Sequence, residues 1–192
     1  MLKNASYGGN QEKRVKIVRM LLHEGADASS PPREAPIKGG FDDILKLLLE
    51  NGVNVNPPSS YGVLPPLQMA AEGGRFTVIE LLLDKGVNIE SDRNGWPYIS
   101  PLSVAAARGH IEAARLLIDR GAEIGSEQGT PPFISAVYEG HTEIVKLLLD
   151  KRARIESLGR NNDSTALLKA VRGNQIEVVR LLLDKGANIE SK

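Results

Sequence analysis

A chain of 192 residues, 41% hydrophobic and 25% charged, holds enough apolar material for one elongated domain, and Lys+Arg equals Asp+Glu at 24 each, so no bulk field draws it to nucleic acid or an anionic membrane. The absence of cysteine excludes a disulfide framework and thiolate metal sites and fits a reducing compartment. No basic-then-apolar leader opens the chain and no run of about 18 apolar residues occurs, so a soluble cytoplasmic or nuclear protein is expected, and the sequons at Asn4 and Asn162 are read as chance.

In chain order, the first strong helix signal is "IVRMLLHEG" (17–25), with "QEKR" (11–14) inserted ahead of it and Met1 already inside a preceding inner helix. The second, "ILKLLLENG" (44–52), follows "PPREAPIKGG" (31–40). Only 27 residues separate Gly25 from Gly52 (52 − 25), which leaves no room for a two-turn helix between Pro36 and Gly40, so a loop is expected there. From residue 65 the pattern becomes regular: "PPLQMAAEGG" (65–74) then "VIELLLDKG" (78–86); "SPLSVAAARGH" (100–110) then "AARLLIDRG" (113–121); "PPFISAVYEGH" (131–141) then "IVKLLLDKR" (144–152); "TALLKAVRGNQ" (165–175) then "VVRLLLDKG" (178–186).

The last residues of the six leucine-rich runs are 25, 52, 86, 121, 152 and 186, so by subtraction they are spaced 27, 34, 35, 31 and 34 apart. A period of about 33 residues marks an internal repeat. Each leucine-rich run is an amphipathic helix with an apolar stripe broad enough to need cover on two sides. The glycine that closes it (Gly25, Gly52, Gly86, Gly121, Gly186) suits a left-handed cap; in the fifth run that position is Arg152, at a cost of about 1 kcal/mol. The alanine-rich run ahead of it is a thin helix capped at Ser100 and Thr165 and opened by Pro66, Pro101 and Pro132 at the first helical position. The segment after each cap ("VNI", "AEI", "ARI", "ANI") is too short for helix and fits a tight extended turn.

These residues resemble the ankyrin repeat, whose pattern runs T-P-L-H-x-A-A, then G-H, then V-V-x-L-L-L, then G-A-D-V-N. "LLLDKGANIES" is similar to arrays in very large fungal multidomain proteins. The resemblance implies an all-α solenoid of helix-turn-helix units with short hairpin-like turns, one domain over 1–192. About six repeats are expected, roughly 1–28, 29–55, 56–89, 90–124, 125–155 and 156–192, the first incomplete and the second shortened. The family's histidine, an inter-repeat strut, is replaced by Gln68, Ser103, Ile134 and Leu168, which removes the ground for expecting that polar network anywhere in the stack. Neither end spells a polar cap, as expected of a piece of a longer array; a self-standing product is the other reading.

No arrangement of residues that would carry chemistry stands out in the sequence. His110 and His141 sit at the turn between helices, a structural address, and no two histidines stand four apart around a glutamate. No G-x-S-x-G elbow and no phosphate-binding glycine loop occurs. Asp84, Asp119, Asp150 and Asp184 recur at one repeat position and read as a solvated helix end. A non-enzyme without cofactor or metal is expected.

Recognition of a protein partner is what remains. In the family it resembles, exposed inner-helix positions and turn tips form a concave binding face; carried over by position, these are Met69 and Glu72, then Val104, Ala107 and Arg108, then Ser135, Tyr138 and Glu139, then Lys169 and Arg172. The turn tip "RNGWPYIS" (93–100) is longer than usual and holds the only tryptophan. Aromatic and arginine side chains often dominate binding energy, so Trp96, Tyr98, Arg108, Tyr138, Glu139 and Arg172 form the candidate contact patch of a monomeric scaffold; Trp96 packing over the next unit is the plainer alternative. A structural spacer inside a larger signalling chain, with no partner of its own, is the second reading of the whole. Base stacking on Trp96 and Tyr138 lacks a basic groove, and no small-molecule substrate is expected.

Overall fold

Thin alanine-bearing runs opened by proline and broad leucine runs closed by glycine both wind into helices, and the residues at their ends decide where each stops. The structure, a computed structural model, describes residues 11–24, 42–51, 65–90, 99–125, 130–158 and 164–190. Among these residues there are ten helices: α1 (Gln11–His23), α2 (Asp42–Glu50), α3 (Pro66–Glu72), α4 (Phe76–Asp84), α5 (Pro101–Ala107), α6 (Ile111–Asp119), α7 (Pro132–Glu139), α8 (Thr142–Asp150), α9 (Ala166–Arg172) and α10 (Ile176–Asp184). No strand is present among them; the one isolated bridge pairs Leu158 with Thr165. The expected loop at 31–40, the inner helix at Met1, and the caps at Gly25 and Gly52 lie outside the described residues.

The helices form two rows. The inner row stacks α3, α5, α7 and α9; the outer row stacks α1, α2, α4, α6, α8 and α10; and α3, α5, α7 and α9 each pack on the outer helix that follows. Close approach in the inner row follows from side-chain size: Ala70, Ala71, Ala105, Ala106, Ala136 and Ala170 are all fully buried, so neighbouring backbones meet with only a methyl group between them. Outer helices contribute the bulk. Leu82, Leu117, Leu148 and Leu182 occupy one repeat position and are fully buried, each stabilising by about 1.5–3 kcal/mol. One continuous core runs from Leu49 to Ala187, and a second, small one joins Val18 of α1 to Ile44 and Leu48 of α2.

Expected caps are present. The Ser100 and Thr165 side chains accept the backbone N–H groups of Ser103 and Leu168, at 3.1 and 3.4 Å. Pro66, Pro101 and Pro132 take the first helical position, where a missing N–H leaves no bond unmade. After the outer helices, Gly86, Gly121 and Gly186 have φ of 77°, 94° and 85°, and Arg152 has φ 68°. A side chain is thus held in the left-handed region because the repeat imposes that turn on whatever residue stands there. Arg152→Gly should therefore stabilise the fold by about 0.5–1 kcal/mol in chemical denaturation; a destabilised variant would mean that the strain is relieved elsewhere.

Neighbouring repeats are also latched by polar groups. His110 Nε2 lies 2.9 Å from the Glu72 carbonyl and His141 Nε2 3.0 Å from that of Ala107, and Gln175 Nε2 donates to the Tyr138 carbonyl at 3.1 Å. The structural reading of the two histidines therefore holds. The expected loss of the strut toward the next turn is corrected at two positions: Gln68 donates to the Ile99 carbonyl and Ser103 Oγ to that of Thr130, at 2.8 Å for the latter. An amide and a hydroxyl thus reach equivalent carbonyls just ahead of the next inner helix; Ile134 and Leu168 carry no such group.

Candidate partner-binding face

The stack repeats not only its core but its exposed slots. At the C-terminal ends of the inner helices, Glu72, Ala107, Tyr138 and Arg172 occupy one repeat position, and Gly73, Arg108, Glu139 and Gly173 the next. Arg108, Tyr138, Glu139 and Arg172 are therefore brought together as a short row over three successive inner helices. All four are exposed.

Tyr138 is the large apolar member, 51% exposed at the last turn of α7. Its neighbours toward the N-terminus, Ala136 and Val137, are buried, so the helix face beneath the ring is fixed by the core. Its own carbonyl takes the Gln175 amide, which ties that turn to the following repeat. Gly140 then ends α7 at φ 80°. The ring thus projects from a backbone held on three sides, and little order need be gained on binding.

Arg108 is not an idle charge. Its Nη2 donates to Glu72 Oε1 at 2.9 Å, with side chains 59% and 34% exposed. The pair spans two repeats. In that exposure it contributes only about 0.2–1 kcal/mol to stability, so the guanidinium can exchange this carboxylate for another acceptor at little cost.

The other carried-over positions divide. Val104, Ser135 and Lys169 are half-buried. Met69 is a correction: it is 2% exposed and lies within the main core, because its unbranched thioether chain folds onto apolar neighbours instead of presenting a contact. Trp96 and Tyr98 lie outside the described residues.

The recurring aspartates do more than end helices in solvent. Arg120 bridges Asp84 at 2.8 Å and Glu80 at 3.4 Å, and Lys151 bridges Asp119 at 3.2 Å, so this surface carries a ladder of exposed ion pairs from repeat to repeat. A further device was hidden in the spelling "NIES". Glu90 Oε1 accepts the Glu123 backbone N–H at 2.7 Å, and Glu156 Oε1 accepts that of Asn188 at 2.8 Å. The signal was there in the sequence, since the glutamate recurs at 90, 156 and 190, four residues after the cap position; the same position holds Ser29, Asn56 and Gly125 in the other repeats.

Among the described residues, no group of three or more His, Asp or Glu could hold a metal ion, and no helix is long and apolar enough to cross a membrane.

The geometry agrees with what the chain is similar to. A family model for ankyrin repeats in three copies matches residues 34–128 and 102–192. Among solved structures, the human ASB11 ankyrin repeat domain superposes with a TM-score of 0.86 at 27% sequence identity, covering 100% of this chain and 86% of that one. No curated protein sequence matches. Paired helices at a 33-residue period, left-handed caps, turn latches and a family match from residue 34 to residue 192 agree: the chain belongs to the ankyrin-repeat family.

Proposed function

We propose that this chain is a non-catalytic scaffold module that binds a partner protein on the concave face of the repeat stack, through Trp96, Tyr98, Arg108, Tyr138, Glu139 and Arg172. Ankyrin repeats generally mediate protein–protein interaction, and the family is typically not catalytic. The observation that carries the reading is Tyr138: a half-exposed aromatic on a latched inner helix, flanked by exposed charges of both signs. Burying such a ring in a partner's pocket is where binding energy concentrates. The mixed charges of Arg108, Glu139 and Arg172 favour a polar protein surface over a polyanion. The module acts as a monomer in the cytoplasm or nucleus, without nucleic acid, membrane or small-molecule ligand.

Affinity capture from native extract tests it. With wild type and the Arg108→Ala/Tyr138→Ala variant as baits, a specific protein should be retained by the first and depleted from the second, while circular dichroism stays unchanged. Equal retention would move the search to another face, whereas no specific retention by either bait would favour the spacer reading.

A further inference from the structure

The turn after each outer helix keeps one spelling along the chain except in the fifth repeat. Its cap position holds Gly25, Gly52, Gly86, Gly121 and Gly186 but Arg152, and two residues on stand Asp27, Asn54, Asn88, Glu123 and Asn188 but Arg154. Each arginine gives up something that the turn uses. Arg152 holds φ 68°, a left-handed backbone that glycine takes without strain. Arg154 stands where the Asn88 and Asn188 side chains accept the N–H groups of Glu90 and Glu190, at 3.1 and 2.9 Å, and a guanidinium accepts nothing. Both arginines are exposed, and neither makes an ion pair among the described residues. Two side chains that cost the fold and hold nothing within it point to a role outside it.

What they share is a serine. Ser157 follows Arg152 by five residues and Arg154 by three, and Leu158, 36% exposed, comes next. Its equivalents Ser91, Ser126 and Ser191 have no positive charge at either place. Arginine at these two spacings, then serine, then a large apolar residue, is the pattern that arginine-directed protein kinases read. Acidic side chains in such a cleft take each guanidinium bidentately, and an apolar pocket takes the residue after the serine.

The turn around the serine is held by short-range bonds. The Ser157 N–H donates to the Arg154 carbonyl at 3.0 Å, and Ser157 Oγ donates to the same oxygen at 2.6 Å. Opening this turn into the extended form that a kinase cleft takes also releases Glu156 from the Asn188 N–H and lifts Ala153 and Ile155, which are only partly buried. The cost is that of a local opening, with the helices on either side left in place.

We infer that Ser157 is a phosphorylation site for an arginine-directed serine/threonine protein kinase, with Arg152 and Arg154 as the residues it recognises. The γ-phosphoryl group of a nucleoside triphosphate passes to Ser157 Oγ: the bond from phosphorus to the diphosphate oxygen breaks, a bond to Oγ forms, and the hydroxyl proton goes to the kinase's catalytic base. The product has no O–H to give to the Arg154 carbonyl and carries about 1.5 to 2 negative charges at the turn. No residue of the proposed contact patch takes part, so the inference is independent of the concave-face reading.

The test incubates the full chain with the catalytic domain of such a kinase, ATP and magnesium, and follows it by intact mass and phosphopeptide mapping. One phosphoryl group should appear, on Ser157, and Ser157→Ala should remove it. The Arg152→Gly/Arg154→Asn variant restores the spelling of the sixth repeat, so its fold is kept. Its initial rate of phosphorylation should fall about 10- to 100-fold, as a charge-assisted contact is lost at each arginine. A wild-type chain that stays unmodified, phosphate placed on another residue instead, or an equal rate in the double-arginine variant would overturn the inference.

Discussion

Replacing Phe133 with alanine should lower the unfolding free energy by about 3–5 kcal/mol, the range for truncating a large buried aromatic. Phe133 is the largest fully buried side chain among the described residues, 1% exposed, and it sits on α7 between α5, α9 and α8. Packing from three directions leaves the surroundings little freedom to collapse, so most of the void should persist. In a stack where each unit touches only its neighbours, the loss falls on both interfaces of that repeat and nowhere else. Leu167, at the same position in α9, is only half-buried. Leu167→Ala should accordingly cost less than half as much in the same denaturant titration. Equal losses at the two positions would mean that the repeats do not depend on their neighbours in the way described.

The second large effect is expected at a glycine. Gly109 ends the turn between α5 and α6 at φ 74°, and a Cβ there would lie 2.6 Å from His141 Cε1 of the next repeat. Gly109→Ala therefore combines left-handed strain with displacement of the imidazole from the Ala107 carbonyl. Strain of about 1–3 kcal/mol and about 1 kcal/mol for the hydrogen bond give a destabilisation of about 2–4 kcal/mol. Gly121 separates the two causes. It has φ 94° but nothing within 4 Å of an added Cβ, so Gly121→Ala carries the strain alone. Comparing the two variants by chemical denaturation measures what the close approach of His141 adds; equal costs would show that the histidine yields freely.

Much of this architecture was legible because repetition exposes constraint. Arg152 could be placed in a left-handed turn from sequence only because five other copies spell glycine there. Proline and Ser/Thr at the inner-helix starts were equally readable, since capping depends on local atoms alone. What escaped depended on contacts between residues of different repeats, 27 to 36 apart in the chain. The Arg108–Glu72 pair joins adjacent slots of different repeats, and no local pattern announces it. The struts of Gln68 and Ser103 are not legible from the family's pattern, which spells histidine there, whereas the acceptor carbonyl requires only a donor within reach. Met69 was misassigned for a related reason: repeat position gives the direction of a Cβ, but a flexible thioether chain can bend back into the core. Tyr138 was readable as outward-facing because a ring at the last turn of a thin helix has no room among the alanines.

The central claim is that the inner-helix row around Tyr138 grips another polypeptide while the outer helices merely support it. The measurement that bears on it most directly is an equilibrium titration of the captured partner against wild type and the Arg108→Ala/Tyr138→Ala variant. A dissociation constant weaker by about 1–3 kcal/mol with unchanged helicity is the predicted result. An unchanged constant would contradict it.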